Sequence, residues 1–155
     1  MSHEQRLAEL GITLPEVAAP VAAYVPAVQT GRYIYTSGQL PFTDGALPAT
    51  GKVGEGENLI SADDAAAYAR TCALNALAAV RSVTGSLDAI SRIVKVVGFV
   101  ASDPAFTGQP GVINGASSVL GEIFGDAGVH ARSAVGVAVL PLDSPVEVEL
   151  VVELA

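Results

Sequence analysis

HARSAVGVAVLPLDSPVEVE, residues His130–Glu149, reads as two β-strands joined by a short turn of Pro and Asp residues. Side chains of a strand alternate between its two faces. Over Arg132–Val139 one face collects Ser133, Val135, Val137 and Val139, and the other collects Arg132, Ala134, Gly136 and Ala138. The valine face is expected to back onto a core. The small-residue face, with its one arginine, leaves room for something to approach closely. Val146–Leu154 sorts more cleanly: Val146, Val148, Leu150, Val152 and Leu154 share one face, and Glu147, Glu149 and Glu153 share the other with Val151. A slip of one residue would bury the glutamates, so this strand's orientation is strongly specified. Read as a hairpin, the stretch sets Arg132 across from Glu147 or Glu149. Taken alone it fits a plain ion pair at least as well as a ligand site.

Working outward, the chain of 155 residues fits one domain with a substantial core. Half the residues are hydrophobic and only 15% are charged. That is little charge for the surface of a small monomer, and it points to a subunit interface, for which symmetric self-association is the common solution. Gly, Pro, Ser or a charge interrupts every apolar run, so no membrane span is expected. The net charge of −8 disfavours broad nucleic-acid binding. The N-terminus MSHEQRLAELG lacks the pattern of a signal peptide. With a single cysteine, Cys72, no intramolecular disulfide is possible, and a cytoplasmic setting is the expectation. No Cys/His cluster has metal spacing, and no glycine-rich phosphate loop opens a helix, so neither metal nor cofactor is expected. His3 and His130 read as isolated surface residues.

The remaining elements fall in order. Residues 2–10 read as a short helix packing Leu7 and Leu10, with Thr13–Pro20 extended. Val21–Gln29 and Tyr33–Ser37 read as strands flanking a Thr30-Gly31 turn. Gly38–Asn58 reads as a long loop of the kind that is often functional. Ser61 caps a long helix with Asp63 and Asp64 in its first turn. The buried stripe of that helix is Ala65, Ala69, Cys72, Ala76, Val80 and Val83, and Gly85 is its stop. Ile90–Ala101 is apolar on both faces and reads as the middle strand of the sheet. Pro110 opens a second helix with Val112, Ala116, Leu120 and Ile123 inward, ended by Gly125. The order β-β-α-β-α-β-β allows two helices to cover one face only. The other face is expected to carry the small residues, Arg132 and the glutamates.

Several blocks then stand in a recognisable sequence: Thr36-Ser37-Gly38-Gln39-Leu40-Pro41, Ile93-Val94-Lys95, Val112-Ile113-Asn114, Ala131-Arg132-Ser133, Leu140-Pro141 and Val146-Glu147-Val148. In order and at compatible spacing they resemble the Rid/YjgF/UK114 family, once labelled endoribonuclease L-PSP, from Val21 onward. The resemblance implies an α+β, chorismate-mutase-like fold, a mixed sheet with two helices packed on one face. It implies a homotrimer with ligand clefts between subunits, residues 1–155 forming one domain and 1–20 an extension. It implies hydrolysis of enamines and imines to 2-keto acids and ammonia, without metal or cofactor. Residue by residue, Arg132 falls on the carboxylate-binding arginine, Glu147 on the water-handling glutamate and Tyr24 on the cleft tyrosine. Ser37 and Gly38 fall on the cleft loop, and Asn114 on a helix asparagine beside it. Three features depart from the pattern: Ala134 replaces a frequent cysteine, and the N-terminal helix and the longer Phe42–Asn58 loop are additions.

The residue types suit that chemistry. A guanidinium matches a carboxylate as a planar fork. A carboxylate whose pKa is lifted by burial can take a proton from water and return it to a leaving nitrogen. Tyr24 and Ser37 are candidate donors, and Gly38 admits close backbone approach. A non-catalytic binder of small carboxylates is the alternative reading, with endoribonuclease behind it on charge grounds.

Overall fold

The computed structural model describes residues 1–17 and 23–155. Its centre is the strand β5 (Val146–Leu154), the third of five in a mixed sheet. The other strands are β1 (Ala27–Thr30), β2 (Tyr33–Thr36), β3 (Ile90–Ala101) and β4 (Ala131–Val137), and the order across the sheet is β1-β2-β5-β3-β4. β5 pairs antiparallel with β2 on one side and with β3 on the other. β4 pairs only with β3, in parallel.

The hairpin expected for His130–Glu149 is therefore absent, because β3 lies between its two strands. The connection from β4 to β5 arches over the end of β3: Ser102 N donates to Val137 O at 3.0 Å and Ala101 N donates to Pro145 O at 2.9 Å. The middle strand is β5, with β3 beside it. The first strand is also shorter than Val21–Gln29 implies. It begins at Ala27, and Val21 lies outside the described residues.

Among the described residues three α-helices accompany the sheet: α1 (His3–Glu9), α2 (Ala62–Thr84) and α3 (Gln109–Phe124). α2 and α3 pack on each other and on the same face of the sheet, α2 against β5 and α3 against β3 and β4. The ends of α2 follow the local chemistry. Ser61 Oγ accepts from Asp64 N, and Gly85 leaves the helix at φ +80°, where a Cβ would be strained. Ala65, Ala69, Cys72, Ala76 and Val80 are buried as the stripe predicts, but Val83 is 41% exposed. α3 buries Val112, Ala116, Leu120 and Ile123. Leu7 of α1 joins the same core. A capping box at Ser2 and Gln5 closes the start of α1.

The long loop is pinned rather than loose. Val53 is fully buried and inserts between the ends of two segments, its N–H donating to Ala101 O and its carbonyl accepting from Asp103 N. The buried Asn75 on α2 donates to Leu40 O and Phe42 O at the loop's start.

Strand register settles the faces. Val96 of β3 stands opposite both Leu150 and Arg132, so Arg132 shares the helix-covered face. Phe99 stands opposite both Glu147 and Val135, so these two share the open face. The expected sorting of β4 is thus inverted: Val135 is 43% exposed, while Ala134 packs against the core. The helix side needs small residues there because α3 lies close. Gly98 on β3 is part of the same fit; a Cβ on it would reach Ile113 Cγ2 at 2.7 Å. The open face carries Tyr33, Tyr35, Val28 and Val135, all exposed, together with Glu147 and Glu149.

Candidate active site

The candidate residues fall into two groups. The first gathers where β2 meets β5. Tyr35 pairs with Val151 and Gln39 with Val148, so between these pairs three residues on one strand run against two on the other. The extra residue makes the β2 side bulge at Ser37-Gly38. Thr36 Oγ1 fills the gap by accepting from Leu150 N at 2.9 Å. Ser37 N donates to Pro26 O, and Ser37 Oγ donates to Val25 O at 2.6 Å. The Ser37 hydroxyl proton is therefore spent on holding the segment next to Tyr24, not on a ligand. Tyr24 is half-exposed beside it.

Glu147 lies directly against Gly38. A Cβ at Gly38 would sit 2.7 Å from Glu147 Cδ and closer still to Oε1. The absence of a side chain at position 38 is what lets the carboxylate rest there. Glu147 is half-buried, and no described residue donates a hydrogen bond to its carboxylate. Burial raises its pKa, and the charge of Glu149 on the same face raises it further. A carboxyl in that condition keeps its proton to higher pH than an exposed one, which favours a role in proton transfer.

The second group is built on α3 and β4. Arg132 reaches across to the helix, where Nη1 donates to Asn114 Oδ1 at 2.8 Å and to Ser117 Oγ at 3.2 Å. Nη2 donates to Pro110 O at 3.4 Å. Residues 110, 114 and 117 lie one helical turn apart on one face of α3, which is why a single arginine meets all three. A guanidinium has five N–H donors. Three are used here, leaving Nε–H and one Nη2–H without an acceptor among the described residues. Nε–H and Nη2–H are donors with which an arginine can grip a carboxylate. No carboxylate among the described residues pairs with Arg132. The ion pair to Glu147 or Glu149 is ruled out by the intervening strand β3.

Sequence reasoning missed Ser117 and misplaced His130. His130 is half-buried, with Nε2 2.9 Å from Ser117 Oγ and Nδ1 2.6 Å from Gly128 O. A signal existed: His130 stands two residues before Arg132, and Ser117 three after Asn114, so each shares a face with a chosen residue. His3 is likewise no free surface group, since it meets Ile90 O and lies against the Phe124 ring. Cys72 is buried, as expected.

The two groups do not meet within one chain. Arg132 and Glu147 point to opposite faces, two strands across and three residues along, with Cα atoms about 14 Å apart by sheet geometry.

Element order, sheet topology and this placement define an α+β protein of chorismate-mutase-like fold. Residues 4–154 match the family model described as "YjgF/chorismate_mutase-like, putative endoribonuclease". The chain belongs to the Rid/YjgF/UK114 family. It is 44% identical to Protein TCP17 of Trypanosoma cruzi over 149 residues, 96% of this chain and 91% of that protein. It is also 44% identical to Atu1372 of Agrobacterium tumefaciens, a protein of unknown function. That crystal structure superposes with a TM-score of 0.88 over 99% of this chain and 92% of the other. More distantly, E. coli TdcF with bound serine is 25% identical, with a TM-score of 0.66 over 92% and 96% of the two chains. No helix among the described residues is long and apolar enough to cross a membrane.

Proposed function

We propose that this protein is a hydrolytic deaminase of 2-imino and 2-enamino acids, working at clefts between the subunits of a homotrimer. Family membership supports a hydrolase- or deaminase-like role in general. The observation that carries the finer reading is the Arg132 guanidinium, anchored on three acceptors yet offering a free two-donor edge and no carboxylate of its own. Such an edge fits the carboxylate of an imino acid. The separation of Arg132 from Glu147 supports the shared cleft, because a small substrate touching both needs them from different chains.

The chemistry then balances with side chains alone. Arg132 fixes the carboxylate and thereby the C=N carbon. Ionised Glu147 takes a proton from water as the water oxygen bonds to that carbon, and the C=N π electrons move to nitrogen. Glu147 returns the proton to the nitrogen. Glu147 then takes the hydroxyl proton and passes it to the amino nitrogen as the C–N bond breaks, so the oxygen forms the carbonyl and ammonia leaves. Orientation and one acid–base group suffice for so reactive a substrate. Tyr24 and the Ser37-Gly38 backbone would shape the wall of the cleft, with Asn114 steadying Arg132. The net charge of −8 and the glutamates of the open face argue against the endoribonuclease named in the family description.

The test uses imino acids made in solution by an amino-acid oxidase, with ammonia and 2-keto acid followed over time. Wild-type protein is expected to accelerate both. Arg132→Ala is expected to lose on the order of 100-fold in kcat/KM, the worth of a charged bidentate contact. No acceleration by wild type, or an unchanged rate in the variant, overturns the reading.

A further inference from the structure

We propose that His130 and Ser117 are positioning residues for Arg132, and that they act through one fixed direction of hydrogen bonding. The inference rests on Arg132 being the carboxylate-binding group of the proposed reaction. The direction follows from the atoms. The Gly128 carbonyl can only accept, so His130 Nδ1, 2.6 Å away, carries the proton. The Nε2 of a neutral imidazole is then a bare acceptor, and Ser117 Oγ, 2.9 Å away, must donate to it. With its proton committed, Ser117 Oγ turns a lone pair to Arg132 Nη1 at 3.2 Å. The relay runs Arg132 to Ser117 to His130 to Gly128, every donor facing an acceptor, and aligned bonds polarise one another.

This relay decides which edge of the guanidinium is offered to a ligand. Asn114 and, at a longer 3.4 Å, Pro110 each hold one N–H, on Nη1 and Nη2 in turn. The second Nη1 bond, to Ser117, completes the anchoring of Nη1 and resists rotation about the Cζ–Nη1 bond, so that Nε–H and the remaining Nη2–H stay the donors on offer. His130 is needed because a Ser117 hydroxyl without a partner for its proton is free to rotate, and its lone pair is then no longer held toward Nη1.

The experiment combines nitrogen NMR with pyruvate binding, on the full chain near pH 7.5. His130 Nε2 is expected to resonate as an unprotonated nitrogen, and the Arg132 Nη signals to show slow rotation. In Ser117→Ala that rotation becomes fast and pyruvate affinity falls about 10-fold, the worth of one hydrogen bond to a charged group. Ser117→Thr keeps the hydroxyl and restores both. In an Arg132→Ala background Ser117→Ala changes nothing further. His130→Ala is expected to match Ser117→Ala; if it does not fold, the serine variants decide. A protonated Nε2, or unchanged Nη rotation and pyruvate affinity in Ser117→Ala, overturns the inference. If Arg132→Ala itself leaves pyruvate affinity unchanged, the deaminase reading falls, while the Nη rotation still decides whether Ser117 and His130 hold the guanidinium.

Discussion

At the scale of single residues, Glu147 is where acid–base chemistry and stability meet. Its carboxyl is half-buried against Gly38 with no donor among the described residues, and burial, then Glu149, raises its pKa in the folded state. Below the ordinary glutamate value of about 4.3 it is protonated both folded and unfolded, and it makes no difference to stability. As pH rises above that value, the unfolded chain ionises first. Above the raised folded value the native state carries a half-buried charge, and stability is lower by the full effect. Glu147→Gln is therefore expected to melt above wild type at pH 8, with the gap closing below pH 4, in thermal melts at fixed protein concentration. A gap of constant size at both pH values would mean that the carboxyl is not the cause. In the proposed reaction the same raised pKa moves the acid limb of the rate profile upward from where an exposed glutamate would put it.

At the scale of elements, the α2–α3 contact depends on Gly115. A Cβ there would lie 2.7 Å from the Ala66 carbonyl carbon and nearer still to its oxygen, and backbone cannot step aside as a side-chain tip can. Gly115→Ala is expected to cost about 3 kcal/mol by overpacking. Gly121, on the same helix, has nothing within 4 Å of the Cβ position, so Gly121→Ala should instead stabilise by roughly 0.5–1 kcal/mol. Urea unfolding of the two variants checks both signs.

Elements were also where the sequence was most and least informative. The limits of α2 and β5 were readable from caps, a glycine stop and alternation, at Ser61, Gly85 and Val146–Leu154, whereas the start of the first strand was not. Pairing was not. Alternation sorts the residues of one strand into two sets but says neither which neighbour it takes nor which set faces inward. In β4 the valines face out, because the side under α3 is taken by Arg132, which reaches the helix, and by the small Ala134 and Gly136. The clue to the true partner was topological. A strand, a helix and a strand, Ile90–Ala101, Gln109–Phe124 and Ala131–Val137, form the crossover unit that makes parallel neighbours. Asn114 and Arg132 could be chosen separately, but their 2.8 Å contact needed that pairing.

At the scale of the whole molecule, the open face of the sheet shows Tyr33, Tyr35, Val28 and Val135 around the glutamates, with no element of the described chain laid over them. In a proposed trimer that face is where partner chains would lie. Sedimentation is expected to give three times the chain mass of 15.6 kDa. Val135→Lys, on the exposed side of β4, is expected to shift the protein toward monomer and to remove deaminase activity while the far-ultraviolet circular dichroism of the chain stays intact. A monomeric wild type that remains active would refute the shared cleft.

The place of β5 also constrains how the chain reaches its folded state. Strands β2 and β3 never touch; each hydrogen-bonds to the strand made after both of them. Until residues 146–154 emerge from the ribosome, a nascent chain holds two unzipped sheet borders, one the Tyr-Ile-Tyr-Thr of β2 and the other the valine-rich β3. Such borders are templates for wrong partners. Synthesis stalled before Val146 should therefore leave a chain that chaperones retain, and release of the next nine residues should let the halves zip shut in one step.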